Sequence, residues 1–443
     1  MAEKLLAILF SLLILVQAGL VRRLVGTWIF PACLFGLFWF ALTFIPLVVL
    51  FSVPIEWTAV AYIFLCCLLF SATALSIDWH KAYAVNRKRS NRSNFGGSFM
   101  RMAFLGTTLC TLLFLIINTA AQGFSLNDIV FDIMQTANSY ISRRYNDELD
   151  VNLFGKLSVV FTYTSAIVGG MYYNDRPQQV RGSIILLLVL VPSAAVMVIQ
   201  GAKGTLFLAI AYFISGVLIS KIRKNDLAFI RKENVVTILI YILLIIPVLT
   251  MSFLARGLFE SDDLAIIKTE LTRSFLSYSS AHMYAFSDWF SHLMFAKSDI
   301  NYFDDFNEYG FHTFMSIFKL FGSDKYVPAG YYDEYFYYGE IIQTNIFTMF
   351  RGLIYDFGLI GSLAFMIGFG LFCHVSFFQL LVSQNPTVSA SVFAHLIGFI
   401  YTSFLISQFV WNSIYVTFIL IIILLYINNY LNRKIDLTDM SRA

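Results

Sequence analysis

The 443-residue sequence predicts an all-α, polytopic integral membrane protein. Three observations carry that prediction. Apolar residues make up 58% of the chain and charged residues only 13%, too little charge to solvate a soluble surface of this size. The apolar residues gather in blocks long enough to cross a bilayer. The basic residues fall in short clusters between those blocks, and a net charge of +3 so distributed excludes a nucleic-acid partner. Cys33, Cys66, Cys67, Cys110 and Cys373 all lie inside apolar runs without metal-ligand spacing, and read as small buried hydrophobes.

The blocks centre on residues 4–20, 28–51, 58–77, 102–121, 155–173, 182–200, 204–220, 235–254, 353–382, 389–409 and 411–429. Each is expected to be a helix, because only helices and closed barrels satisfy their backbone groups in lipid; about eleven spans result. The turns at Gly201 and Gln408 are very tight. The first block, "KLLAILFSLLILVQAGLVRR", also has the outline of a signal peptide, with Val16-Gln17-Ala18 as a cleavage pattern. Arg22 and Arg23 directly after it favour a retained span.

Orientation follows from the basic clusters. "HKAYAVNRKRSNRSNFGGSFMR" (80–101) and "SKIRKNDLAFIRKEN" (220–234) fall on one side, with Arg22/Arg23, Arg176/Arg181 and Arg433/Lys434. That side reads as cytoplasm. Two long segments then face outward. Residues 122–154 contain "DIVFDIMQTANSYISRRYNDELD", which predicts a partly amphipathic interfacial helix. Residues 255–345 form the largest loop, and its length predicts short helices packed over the spans. The organisation is therefore spans one to eight in 1–254, an outer loop in 255–345, and the last three spans with a cytoplasmic tail in 346–443.

Cations on the outer face run against the topological trend, which singles each of them out. Lys203 sits in the tight turn "QGAKGTLF", beside the outward end of the seventh span. Backbone N–H groups around Gly204, the helix dipole and a lysine suit a phosphate there; a lysine snorkelling from a hairpin turn is the plainer reading. Arg256 follows the eighth span, where a cation is favourable with or without a ligand. Lys268 and Arg273 in "IIKTELTRSF" read equally as loop charges.

The richest stretch is "QTNIFTMFRGLIYDFGLIG", Gln343 to Gly361, which opens the ninth span. Asn345 is placed to cap that helix. Arg351 and Asp356 lie beyond it, and ionisable groups at such depth face a protein interior, an aqueous cavity or a site. They either pair at a bundle seam or serve a site. Their spacing of five is poor for pairing on one helix, which gives each another partner.

At this stretch a resemblance becomes visible. Asn345-Ile-Phe-Thr348, followed by Asp356-Phe-Gly358-Leu-Ile-Gly361 at the head of an apolar helix, resembles the Wzy-type O-antigen polymerases, the oligosaccharide repeat-unit polymerases. The likeness extends to the many spans, to "GTWIFPACLFGLFWF", to the Gly-Lys-Gly-type turn at 201–204 and to the long outer loop before the last spans. The related O-antigen ligases share the layout, with a His-Asn pair leading into a Gly-x-x-Gly helix. Here that pair reads Thr344-Asn345, and the interval to Gly358 is longer.

The resemblance implies a GT-C-like architecture in the inner membrane of a Gram-negative bacterium, with glycosyl transfer on the periplasmic face. Undecaprenyl-pyrophosphate-linked oligosaccharides would be both donor and acceptor, with the lipid bilayer and a chain-length regulator as further partners and no cofactor. The residues suit that chemistry, since a departing pyrophosphate develops negative charge that fixed cations and helix amino termini stabilise. Arg351, Arg256, Glu340 and Asp356 are the catalytic candidates. Lys203, Gly204, Asn345, Arg273, Tyr331, Tyr335 and Tyr338 are the substrate-binding ones. The stretch "YYDEYFYYGE" (331–340) reads either as a glycan groove, its tyrosines offering a flat apolar body and a polar tip, or as an interfacial aromatic belt. His282 and His312 are weaker candidates for a general base. No metal site is assigned; Asp262/Asp263 and Asp304/Asp305 are adjacent carboxylates of the kind that loops solvate. The rival readings are an O-antigen ligase, which differs in its acceptor, and a lipid-linked oligosaccharide flippase, which predicts charge near the middle of several spans.

Overall fold

The computed structural model describes residues 1–89, 95–146, 148–149, 152–229, 246–247, 250, 253–254, 263–302, 308–328 and 330–440. Among these residues nine helices are long and apolar enough to cross a membrane. In chain order the helices are α1 (Ala2–Val25), α2 (Pro31–Val49), α3 (Trp57–Ala72), α4 (Trp79–Arg89), α5 (Ser98–Ala121), α6 (Leu126–Phe131), α7 (Ile133–Tyr145), α8 (Leu153–Asp175), α9 (Gly182–Gln200) and α10 (Lys203–Arg223). They continue with α11 (Leu264–Ser279), α12 (Ala281–Phe295), α13 (Phe311–Leu320), α14 (Thr348–Val382), α15 (Thr387–Thr402) and α16 (Asn412–Met440). The span-length members are α1, α2, α3 with the 3-10 turn that extends it to Ser76, α5, α8, α9, α10, α14 and the Asn412–Arg433 part of α16.

Local chemistry sets several of these ends. Pro31 opens α2 at a position where its missing N–H costs nothing. The Glu56 and Asn152 side chains cap α3 and α8 by accepting from Thr58 N and Gly155 N. The expected span at 235–254 lies largely outside the described residues. The one at 389–409 is the 16-residue α15, which stops at Thr402. Just past its end the Ser403 carbonyl accepts from Met349 N at 2.8 Å, at the head of α14.

The chain divides into two compact units. The first comprises Met1–His80, Asp263–Phe378 and Phe399–Asn412. In it α1 is tied to α3 by Gln17, whose amide donates to Cys67 O and Ser71 Oγ at 2.7 and 2.6 Å. Lys4 Nζ donates to Leu50 O and to Tyr284 Oη, joining α1 to the end of α2 and to α12. Such interhelical bonds hold apolar helices that have no hydrophobic drive to associate in lipid. The long loop does contain short helices, α11 to α13, as its length requires. It also contains a feature the all-helical expectation lacked, an antiparallel hairpin of β1 (Phe336–Tyr338) and β2 (Ile342–Thr344), in the register Phe336↔Thr344. Aromatic strand formers on β1 and Gly339 at φ 52° in the turn favour it.

The second unit comprises Lys81–Asp262, Gln379–Gly398 and Ser413–Ala443. Its centre is the close approach of α8 and α10. A Cβ on Gly170 would lie 2.1 Å from Phe213 O, and one on Gly216 would lie 2.2 Å from Ile167 O. Only glycine permits that approach. The segment expected as an interfacial helix forms α6 and α7, where Ile129 and Tyr140 pack with Leu115, Val196 and Ile199. Arg223, at the end of α10, donates to the carbonyls of Ser383 and Gln384 at 2.8 Å each, just past the end of α14.

Candidate functional site

In the first unit a buried arginine gathers the aromatic residues of the loop around itself. The Arg351 side chain rises from the first turn of α14 and is 1% exposed. Its guanidinium carbon lies 4.1 Å from the Tyr332 ring centroid, 4.2 Å from Phe347, 5.2 Å from Tyr302 and Tyr355, and 5.5 Å from Trp289. Aromatic faces are among the few apolar surfaces that attract such a cation. Guanidinium stays charged when buried, so the charge needs a counter-ion. Glu334 supplies it: Nη2 donates to Oε1 at 2.8 Å, with the glutamate side chain 9% exposed. Nε and Nη2 also donate to Tyr355 Oη at 3.2 and 2.8 Å, and Trp289 Nε1 donates to the same oxygen at 3.1 Å. Two buried donors are left over. Arg351 Nη1 and the Tyr332 hydroxyl have no hydrogen-bond partner among the described residues. Burial pushes the Tyr332 phenol above its ordinary range, although Arg351 pulls the other way, so this group is a neutral O–H.

The "YYDEYFYYGE" stretch alternates in burial as it runs into β1. Tyr332, Glu334 and Phe336 turn inward, whereas Asp333, Tyr335 and Tyr337 are exposed. Successive side chains of an extended segment point to opposite sides, so one run of residues builds both the wall over Arg351 and an outward aromatic surface. On that outer surface Tyr335 and Tyr337 lie 6.1 Å apart, centroid to centroid. Tyr338 is half-buried, and Glu340 is exposed in the hairpin turn.

Asp356 does not pair with Arg351. Its carboxylate is 2% exposed and accepts from His312 N at 2.9 Å, and from Thr313 N and Thr313 Oγ1 at 2.6 Å each. It thus caps the amino terminus of α13 from a distance, meeting both the unpaired N–H groups and the positive end of the dipole. Two residues on, Gly358 breaks α14 at φ 68°, ψ 179°. That conformation belongs almost entirely to glycine, which gives the Asp-Phe-Gly sequence a physical meaning: one residue caps, the other bends.

Asn345 was expected to cap α14. Its amide instead donates to Gly330 O and Tyr332 O at 3.4 and 3.3 Å, fastening the loop. The helix starts later, at Thr348, whose Oγ1 accepts from Phe350 N at 3.3 Å and so does the capping. Tyr331 donates to His312 O at 2.6 Å, and the His312 ring lies 5.3 Å from Tyr355. His282 is turned elsewhere: its Nε2 meets Leu42 O at 3.2 Å and burial pushes its pKa down to about 4. Arg273 pairs with Glu270 at i,i+3 on α11, half exposed, as a surface charge does.

In the second unit Lys203 is the first residue of α10, buried, with its ammonium 3.0 Å from the Phe253 ring centroid. Gly204 beside it is exposed. Arg256, Asp262 and Asp304/Asp305 lie outside the described residues. Asp263 caps α11 through Ala265 N at 2.8 Å. Among the described residues no group of three His, Cys, Asp or Glu side chains is placed to hold a metal ion.

The structure therefore brings Arg351, Asp356, Asn345 and Tyr331 into one neighbourhood and leaves Arg273, Tyr335 and Glu340 on the surface. Sequence reasoning missed Glu334, Trp289, Tyr302 and Tyr355. Glu334 was discoverable from its parity with Tyr332 and Phe336; the others arrive from α12, the loop after it and the next turn of α14, without a shared local signal. Comparison with protein-family models, with curated proteins and with solved structures gives no match. What these elements define is a multi-pass helical membrane protein with a buried, aromatic-walled guanidinium site.

Proposed function

We propose that the chain is an oligosaccharide repeat-unit polymerase of the O-antigen type. In this reading it moves an undecaprenyl-pyrophosphate-linked glycan onto a sugar hydroxyl of a second undecaprenyl-pyrophosphate-linked unit, at the periplasmic face of the inner membrane of a Gram-negative bacterium. The observation that carries the reading is Arg351, a buried cation with one arm on a carboxylate and the other arm without a partner. A buried N–H left unpaired costs about 1–3 kcal/mol. That cost is sensible where an anion periodically takes the bond. Planar guanidinium matches two phosphate oxygens at once, and a leaving pyrophosphate needs such stabilisation more in the transition state than before it. The neutral Tyr332 hydroxyl is a second donor beside it. The outward tyrosines Tyr335 and Tyr337 offer flat faces for the C–H surfaces of sugars.

The test is expression of the chain in a polymerase-deficient strain that makes the cognate repeat unit, with lipopolysaccharide separated on a gel. A restored ladder of lengths is expected. Lipopolysaccharide that remains at a single repeat unit, with the chain present in the membrane, defeats the reading.

A further inference from the structure

The polymerase reading leaves the acceptor's proton without a destination, and the wall of the Arg351 site supplies one. We propose that Glu334 is the general base of the transfer, held on Arg351 until the donor's pyrophosphate displaces it. The inference rests on the reading above and deepens it.

Three observations lead there. First, Arg351 is half used. Nη2 holds Glu334 Oε1 at 2.8 Å, while Nη1 and the neighbouring Tyr332 hydroxyl, both buried, have no partner. A pyrophosphate that engages both arms of the fork and Tyr332 must compete with Glu334 for Nη2. Second, the other acids of the neighbourhood are committed or turned away. Asp356 is saturated by three donors from His312 and Thr313, Asp288 accepts from Tyr302 Oη and Ser298 Oγ at 2.7 Å each, and Asp333 and Glu340 are exposed. Third, the segment that carries Glu334 has a strained residue at each end. Tyr331 has φ 75° and Thr348 has φ 70°, a region that bulky and β-branched side chains rarely occupy. The loop is fastened by the Tyr331 hydroxyl on His312 O at 2.6 Å and, next to Glu334, by longer Asn345 bonds to Tyr332 O and Gly330 O at 3.3 and 3.4 Å. Displacement of Glu334 from Nη2 then opens the guanidinium and frees the carboxylate in one step, with Tyr332 left in place beside Arg351.

Paired with Arg351, the carboxylate's lone pairs are directed at a cation; displaced, they are available to a hydroxyl. In the step itself the acceptor O–H bond breaks and its proton goes to the Glu334 carboxylate. The acceptor oxygen bonds to the donor's anomeric carbon, and the carbon–oxygen bond to pyrophosphate breaks. The electron pair leaves on the phosphate oxygen facing Arg351 and Tyr332. Because the base is released only when pyrophosphate is bound, an acceptor hydroxyl is activated only beside a donor.

The experiment compares the full-length wild-type chain with Glu334→Gln and Glu334→Asp in nanodiscs, measuring undecaprenyl pyrophosphate binding and polymer formation. Glu334→Gln removes the competing anion and the base together. It is expected to bind the probe severalfold more tightly and to polymerise about a hundredfold more slowly or worse, the usual loss with a general base. A merely structural glutamate would weaken both. Glu334→Asp keeps a carboxylate and is expected to retain more polymer than the glutamine variant. Polymer at the wild-type rate from Glu334→Gln, or probe binding no tighter than wild type, overturns the inference. If the glutamine variant does not accumulate, the aspartate variant decides: its shorter acid competes less for Nη2, so tighter binding with residual polymer supports the base role, and any other result overturns it. Absence of polymer from the wild-type chain itself defeats the polymerase reading and the base role with it, whereas an active Glu334→Gln beside an active wild type defeats the base role alone.

Discussion

Arg351→Lys is expected to reach the membrane at near-normal abundance and to lose roughly a hundredfold in polymer, equivalent to about 3 kcal/mol of transition-state stabilisation. Lysine keeps the positive charge that Glu334 and the surrounding rings require. A single ammonium does not reproduce a planar fork that reaches Glu334 and Tyr355 and still has Nη1 to offer. Arg351→Ala is expected to do more damage, and of a different kind. It leaves the Glu334 carboxylate buried without a counter-charge and removes the body that five rings pack upon. Breaking a buried pair from one side costs about 3–5 kcal/mol, a large part of the stability of an ordinary protein. Membrane abundance and ladder length measured on the same cultures separate the two effects. A full ladder from the lysine variant would show that Arg351 anchors the loop and nothing else.

Asp356→Ala is expected to cost folded protein rather than catalysis. The carboxylate serves two backbone N–H groups and one hydroxyl at the head of α13, at 2.6 to 2.9 Å. Alanine orphans those buried donors at about 1–3 kcal/mol each, so the loss is comparable with that at Arg351 while its origin is entirely local. Asp356→Asn preserves the shape, yet its NH₂ must face a donor, so it too is expected to fall short in thermal stability. The measurement is the midpoint of thermal unfolding in detergent, read beside the ladder. An asparagine variant that unfolds at the wild-type temperature but makes no polymer would move Asp356 from capping to chemistry.

The contrast between these two residues shows how far the sequence could be read. Both stood out because ionisable groups inside an apolar block are expensive, and the spacing of five correctly denied them to each other. Their actual partners, Glu334 and the amino terminus of α13, come from segments 17 and more than 40 residues away, and no local pattern announces them. The spans were legible for a simple reason: lipid demands unbroken apolar helices, and among the described residues nine helices of that kind stand where apolar blocks predicted them. The short α15 was not, because no glycine or proline marks its end at Thr402 within the apolar run. Asn345 has the composition of a cap, but Thr348 adopts the left-handed turn that starts α14 three residues later. The tyrosine-rich stretch looked like either a groove or a belt because both readings treat its residues alike. Alternating burial divides them, with Tyr332 and Glu334 turned in toward Arg351 and Tyr335 and Tyr337 exposed.

The most direct measurement follows undecaprenyl pyrophosphate release and glycan length together, with purified chain in nanodiscs supplied with undecaprenyl-pyrophosphate-linked repeat units. Equal amounts of released carrier and new glycosidic linkage are predicted, with the yield collapsing in Arg351→Lys while the protein remains folded. Folded wild-type chain that moves the units across the membrane unchanged, or that releases no carrier from its cognate unit, would contradict the account.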